Sequence, residues 1–147
     1  MGEESLALAL GALGRKERSV AEMGRWLCER GVGEEEVEEL VDRLIAIGAL
    51  DDRRFAAHFA EDKRELAGWG RERIRAALLE RGITAEDVEL AIGGDGGELE
   101  RAVELLRRRG ADLGDDRGRG RALAMLMRRG YEADTAYEAV RRAAQPD

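Results

Sequence analysis

The chain has 147 residues, a formal net charge of −7, one proline and only six aromatic residues. So few prolines and large strand-forming residues exclude an all-β sandwich. Ala, Leu, Glu and Arg dominate instead, and all four lose little freedom in a helix. Cys28 is the sole cysteine, which excludes an internal disulfide and favours a reducing compartment. We therefore predict an all-α protein.

The amino-terminal segment MGEESLALAL places acids before its apolar run, unlike a secretory signal, and no apolar stretch is long enough to cross a bilayer. We expect a cytoplasmic protein with no membrane partner. The net charge is −5 over residues 1–50, −3 over 51–97 and +1 over 98–147. This gradient disfavours DNA binding by the whole chain, and we expect any weak DNA contact at its carboxy-terminal third.

Three similar segments indicate an internal repeat. LCERGV (27–32), LLERGI (78–83) and LMRRGY (126–131) share Leu, Arg, Gly and a following apolar residue, and their glycines lie 51 and 48 residues apart. Apolar residues follow each glycine at two positions one helical turn apart, on one helix face. We predict three tandem three-helix repeats, residues 1–50, 51–97 and 98–147, stacked into an elongated, curved array.

Capping signals and apolar spacing predict the helices in chain order. Leu6–Leu13 starts the first helix, Ser19 and Glu22 form a capping box for the second, and acids at 34–36 open the third. Asp52 is a predicted cap for the fourth. The later helices are predicted at 54–66, 70–81, 85–92, 99–109, 119–129 and 133–144. GGDGG at 93–97 is a predicted flexible joint, and 110–118 a loop.

No catalytic apparatus is evident in the sequence. His58 and Cys28 are the only residues of their types and lack metal-ligand spacing. The glycines of GGDGG are not followed by the Lys-Ser/Thr of a phosphate loop. Asp51 and Asp52 are interpreted as helix caps in preference to a carboxylate site. We predict no enzymatic activity, no metal and no cofactor.

Three basic clusters are candidates for binding a partner, because Arg and Trp often dominate interfaces. The first comprises Lys63, Arg64, Trp69, Arg71, Arg73 and Arg75. The second comprises Arg15, Lys16 and Arg18, and the third Arg117, Arg119 and Arg121. The third is interpreted as a flexible anion-binding edge ahead of a helix. The alternative is that these cations are merely solvated and that Trp69 closes the core. Trp26 falls on the usually polar side of its helix and is a further candidate if exposed.

Two segments resemble the RecX family, bacterial regulators of the RecA recombinase. LDDRRFAAHFAEDKRELAGWGRERIRAALLERG (50–82) matches a pattern of L-D-D-x-x-F-A followed by G-x-G-x-x-R-I-x-x-x-L-x-x-x-G. LGRKERSVAEMGRWLCERGV (13–32) resembles R-x-x-S-x-x-E-L-x-x-x-L-x-x-x-G: its positions from Ser19 to Gly31 fit with Met23 in place of the leucine, and Arg15 stands one residue further from Ser19 than in the pattern. The chain departs from the family at Arg71, where proline is frequent, at Gly24 and Trp26, where basic residues are common, and in its acidic net charge.

The resemblance implies a non-enzymatic monomer that binds in the groove of a RecA–DNA filament. It would restrain ATP hydrolysis, strand exchange and the SOS co-protease activity. Two other functions stay open from the residues alone: a helical DNA-binding protein that acts without a recombinase, and a helical scaffold for an unrelated partner. A steep salt dependence of duplex binding would favour the first of these.

Overall fold

The computed structural model describes residues 2–93 and 96–145, and all of the regular structure in these ranges is helical. The all-α fold class is confirmed. The helices are α1 Gly2–Arg15, α2 Val20–Glu29, α3 Glu34–Ala46, α4 Asp52–Ala67, α5 Arg71–Glu80, α6 Ala85–Ile92, α7 Glu98–Arg108, α8 Asp116–Arg128 and α9 Ala133–Ala144. The predicted joint at 93–97 contains Gly94 and Asp95, which lie outside the described residues.

The start of α8 differs from the prediction. The carboxylate of Asp115 accepts a hydrogen bond from the Gly118 N–H at 2.8 Å, so the helix begins at Asp116 instead of residue 119. Arg117, Arg119 and Arg121 therefore lie in the first turns of a helix. The interpretation of these arginines as a flexible edge ahead of the helix was wrong.

The chain divides into two compact units. The first unit comprises the residues up to His58 together with Leu78–Ala91. In it α3 packs against α1 and α2, and Met23, Leu27 and Leu44 have no exposed surface. Burial of such side chains stabilises the fold by about 1.5–3 kcal/mol each.

The second unit comprises Phe59–Ala77 and the chain from Ile92 onward. Here α9 packs against α7 and α8, and the core includes Leu106, Leu126 and Val140. Across the part of the chain that the structure describes, no helix is both long and apolar enough to cross a membrane. The repeat boundaries at residues 50 and 97, and the elongated shape, stay predictions.

Candidate interaction site

The predicted capping box of α2 is confirmed, and its serine also makes a tertiary contact within the first unit. The Ser19 hydroxyl accepts a hydrogen bond from the Glu22 N–H at 3.1 Å, and the Glu22 carboxylate accepts one from the Ser19 N–H at 3.0 Å. Ser19 is fully buried, and its hydroxyl donates to the carbonyl of Arg81 at 2.8 Å. Ser19 therefore joins the start of α2 to the turn that follows α5.

Glu22 also binds the side chain of Arg81. Two guanidinium nitrogens of Arg81 lie 2.5 and 3.0 Å from the two carboxylate oxygens of Glu22. Burial of Glu22 opposes its ionisation, but the hydrogen bonds from Arg81 and from the Ser19 backbone outweigh it and lower the pKa of Glu22. The Arg81 guanidinium also lies 4.9 Å from the centroid of the Phe55 ring. Glu22 and Arg81 thus serve the architecture of the first unit.

The two acids of the L-D-D motif cap different helices. The carboxylate of Asp51 accepts from the Arg54 N–H at 3.1 Å and caps α4. The carboxylate of Asp52 accepts from the Val20 N–H at 2.8 Å, at the first residue of α2. The prediction that Asp52 caps α4 was therefore wrong, since Asp51 has that role. Burial raises the pKa of Asp52, and repulsion from Asp87 and Asp51 adds to this, although the Val20 hydrogen bond opposes it.

The Gly68-Trp69-Gly70 segment of the second unit makes a close backbone contact with the turn after α8. The Gly70 N–H donates to the carbonyl of Arg129 at 2.7 Å, and the Glu72 N–H donates to the carbonyl of Gly130 at 3.0 Å. A methyl group at Gly70 would lie 2.6 Å from backbone atoms of Gly130. The second glycine of the G-x-G motif is required for this approach.

Trp69 carries two cations on its ring. The guanidinium carbon of Arg73 lies 4.1 Å from the ring centroid and the ammonium nitrogen of Lys63 lies 4.7 Å from it. Phe59 meets the ring edge-on, with the two centroids 6.2 Å apart. Trp69 is half-buried and Arg73 exposed. Trp69 is therefore packed on Phe59 and at the same time contacts two cations. We call Lys63, Trp69 and Arg73 the Trp69 cluster.

The other members of the predicted first cluster are placed differently. The Arg71 N–H donates to the Glu98 carboxylate at 2.8 Å, and its guanidinium lies 3.6 Å from the same oxygen. The side chain of Glu98 is only 7% exposed, so Arg71 neutralises a buried acid. Arg75 pairs with Glu72 one turn earlier on α5. Arg64, on α4, is half-buried.

The second predicted cluster lies around Trp26 in the first unit. The guanidinium carbons of Arg30 and Arg18 lie 3.8 and 5.3 Å from the centroid of the half-buried Trp26 ring. Arg18 also donates to the carbonyl of Ala12 at 2.7 Å, which fixes its position. Lys16 lines a small polar pocket of about 260 Å³ beside Trp26, and Arg15 is exposed at the end of α1.

The three arginines of the third predicted cluster do not share one face of α8. Arg117 and Arg121 are exposed and stand one turn apart on α8. Arg119 instead donates to the carbonyl of Leu113 at 2.9 Å and pairs with Asp116. It also lines a groove of about 670 Å³ between α8 and α9, with Leu123 and Tyr137.

Three arginines with structural importance were absent from the predicted sites. Arg81 binds Glu22, Arg129 donates to the carbonyl of Ala67, and Arg30 stacks on Trp26. The signal that could have found them is the repeat itself, because each arginine directly precedes the glycine of its segment. Within the described residues, no group of three or more His, Cys, Asp or Glu side chains is placed to hold a metal ion.

Taken with the helix order, these contacts define an all-helical protein in which polar side chains at the helix ends make the tertiary contacts. Residues 6–44 match the family model "RecX, first three-helix domain", and residues 51–92 match "RecX, second three-helix domain". The chain belongs to the RecX family, which confirms the resemblance seen in its motifs.

Full-length relatives agree with this assignment. The chain is 36% identical over 144 residues to a Regulatory protein RecX of Mycobacterium ulcerans, covering 94% of this chain and 83% of the relative. It is 38% identical over 136 residues to that of Xanthomonas axonopodis pv. citri, covering 90% and 83%. The crystal structure of RecX from Lactobacillus salivarius has the same fold, with a TM-score of 0.84, 19% identity and coverage of 97% and 96%.

The structure also explains one departure from the family pattern. Arg71 stands where proline is frequent in the family, at the first residue of α5. Proline is well suited to that position, but it has no N–H. In this chain the N–H of Arg71 binds the buried carboxylate of Glu98. The arginine therefore supplies both a backbone donor and a charge to Glu98.

Proposed function

We propose that the chain is a non-enzymatic regulator that binds the filament of the RecA recombinase in the cytoplasm and acts as a monomer. It restrains ATP hydrolysis, strand exchange and SOS co-protease activity. The observation that carries the proposal is the family membership, which spans both matched three-helix domains and relatives named as regulatory proteins.

The Trp69 cluster is the proposed contact for acidic groups of the recombinase. Lys63 and Arg73 are held against one aromatic ring, and such cation–π contacts contribute about 0.5–1 kcal/mol at exposed sites. A cation ordered before binding loses less conformational entropy when it meets a carboxylate. Arg71 is left out of the proposed contact because its guanidinium lies 3.6 Å from the Glu98 carboxylate.

The test is the DNA-dependent ATP hydrolysis of the cognate recombinase, titrated with this protein. We expect suppression at well below one copy per recombinase protomer, because one bound copy blocks growth of the filament beyond it. No suppression at saturating amounts of the folded protein would remove the proposal.

Charge reversal then tests the site. Lys63→Glu with Arg73→Glu should raise the concentration needed for half-suppression by about tenfold or more, as expected for a central interface pair. The matched control is Arg43→Glu with Arg107→Glu, which makes the same change of charge at exposed positions near the ends of α3 and α7. Equal inhibition by both variants would exclude the Trp69 cluster from the contact.

A contact with DNA through the third cluster is a second candidate, favoured by the exposure of Arg117 and Arg121 on one face of α8. Arg117→Glu with Arg121→Glu should weaken duplex binding and reduce its dependence on salt, because phosphate contacts release counterions. Unchanged binding to duplex DNA and to the filament would rule this contact out.

A further inference from the structure

Two turns that follow the end of a helix, Arg81–Gly82 and Arg129–Gly130, each contact the amino-terminal end of another helix, which we call a helix start, and the two contacts are alike. In the first unit, the carbonyl of Arg81 accepts a hydrogen bond from the hydroxyl of Ser19, the residue before α2. A methyl group at Gly82 would lie 2.6 Å from the methyl of Ala21, in the first turn of that helix. The turn thus contacts the residue before α2 through the carbonyl of Arg81, and the first turn of α2 through Gly82, which has no side chain.

The second unit repeats this arrangement. The carbonyl of Arg129 accepts from the N–H of Gly70, the residue before α5. A methyl group at Gly130 would overlap the side chain and backbone of Arg73 in the first turn of α5. In both places a small residue, Ser or Gly, precedes the helix, and the turn has the sequence Arg-Gly.

The corresponding glycine of the third segment packs against its own loop. Gly118 lies twelve residues before Gly130, as Ser19 lies before Gly31 and Gly70 before Gly82. A methyl group at Gly118 would overlap the carbonyl oxygen of Asp112. Gly118 lies in the first turn of α8, which begins at Asp116, and the backbone of the preceding loop leaves no room for an Arg-Gly turn at this glycine.

The third Arg-Gly turn, Arg30–Gly31, is exposed. Gly31 has a φ of +83°, and no atom of the described residues outside its immediate neighbours lies within 4 Å of the place where a methyl group would stand. The guanidinium carbon of Arg30 lies 3.8 Å from the centroid of the Trp26 ring, and that of Arg81 lies 4.9 Å from the centroid of the Phe55 ring. The turn has the sequence and shape of a docked turn without a helix start against it.

We propose that the Arg30–Gly31 turn binds the start of a partner helix that has Ser, Thr or Gly before its first residue and Glu three residues later. The small residue would donate to the carbonyl of Arg30, as Ser19 and Gly70 do to Arg81 and Arg129. The glutamate would pair with the guanidinium of Arg30, as Glu22 does with Arg81. This inference rests on the proposed function, in which the partner is the recombinase.

A second copy of this chain is the alternative occupant that the test must separate from the recombinase. The start of α2 is covered by the Arg81–Gly82 turn, and the start of α5 by the Arg129–Gly130 turn. Gly118, at the corresponding position of α8, is covered by Asp112. Binding to any of these three in another copy would require an existing contact to open first. The start of α3, with Gly33 before it and Glu36 three residues later, is exposed, so a second copy that bound through it would be detected as self-association.

Gly31→Asn tests the site without unfolding the turn, because Asn tolerates the left-handed conformation better than other residues with side chains. Its side chain would obstruct a helix that must approach as closely as Ala21 approaches Gly82. The matched control is Gly48→Asn, at an exposed glycine with a φ of +79° and no such atom within 4 Å of a methyl position. We expect filament affinity to fall by about tenfold or more for Gly31→Asn and to stay unchanged for Gly48→Asn.

The outcomes separate the inference from the function on which it rests. If the unsubstituted chain fails to bind the filament, the proposed function fails and the inference falls with it. If that chain binds and Gly31→Asn binds equally well, only the inference is overturned. Sedimentation of the chain alone adds a further outcome: self-association that Gly31→Asn abolishes, with filament binding intact, would assign the turn to a second copy and overturn the proposal.

The partner segment that meets the turn can be identified by crosslinking from Cys28. This residue is exposed, unique in the chain and three residues from Gly31. A photo-crosslinker attached to this thiol, on protein verified to inhibit the recombinase, should react with the start of a recombinase helix of the stated sequence type. Crosslinks confined to other segments, or none, would contradict the proposal.

Discussion

The hydroxyl of Ser19 donates a hydrogen bond to the backbone carbonyl of Arg81, at 2.8 Å and across 62 residues of sequence. The same oxygen accepts a hydrogen bond from the N–H of Glu22, so one buried atom both caps α2 and holds the turn after α5. A helix cap, normally a local device, here also maintains a tertiary contact.

Replacing Ser19 by Ala should therefore destabilise the protein by about 1–3 kcal/mol. Loss of a cap costs about 0.5–2 kcal/mol, and the carbonyl of Arg81 loses its donor as well. Urea unfolding followed by circular dichroism measures the difference. Ser5→Ala, within α1, is the control and should be neutral or slightly stabilising, because Ala is the better helix former. Equal midpoints for the two variants would contradict the tertiary role of Ser19.

Asp52→Asn should change how stability depends on pH. The pKa of Asp52 is raised in the folded protein, so its contribution to stability is present when it is protonated and is lost as pH rises through the folded pKa. Asn can still accept the Val20 hydrogen bond without the repulsion from Asp87. The variant should be more stable than the parent at pH 7, by about 0.5 kcal/mol after allowance for solvent screening.

This advantage should disappear as the pH falls towards 3.8, the ordinary value for an aspartate. Unfolding midpoints measured from pH 7 to pH 3.5 give the profile. Asp62→Asn, at an exposed position of α4, controls for the loss of one negative charge. An advantage that grows on acidification would have the wrong sign for the proposed cause.

Gly70→Ala should destabilise the second unit by about 1–3 kcal/mol, the usual cost of forcing a methyl group into a packed site. The added methyl group would lie 2.6 Å from backbone atoms of Gly130, which cannot move aside as a flexible side chain would. Gly120→Ala, within α8 and with no such atom within 4 Å, should instead stabilise by about 0.5–1 kcal/mol. Thermal unfolding compares the two, and a tolerated Gly70→Ala would show that the contact is not close.

Arg71→Pro should be less stable than Arg71→Ala by about 1 kcal/mol, although proline suits the first position of a helix. Only the alanine variant keeps the N–H that binds Glu98. In a Glu98→Ala background the difference should vanish, and a double-mutant cycle by urea unfolding measures this coupling. Arg71→Ala should inhibit the recombinase as the parent does once both are folded, since its task is to neutralise Glu98.

The helices and the cap of α2 could be predicted from residues that lie close together in the sequence. Apolar spacing and Arg-Gly stops placed the helices, and the Ser19–Glu22 box was confirmed because both of its hydrogen bonds join residues three apart. The start of α8 was missed because Asp115 was one of several acids and glycines in its loop, with nothing in the pattern to single it out.

Only the tertiary structure decided which polar groups meet across the chain. Asp52 binds Val20, which is 32 residues away, and Glu22 binds Arg81, 59 residues away. Helical periodicity relates residues three or four positions apart and carries no information on such pairs. Arg73 contacts Trp69, which is only four residues away, whereas Arg71 contacts Glu98, which is 27 residues away. Local spacing could not predict the second contact, because only the packing of α7 brings Glu98 to the start of α5.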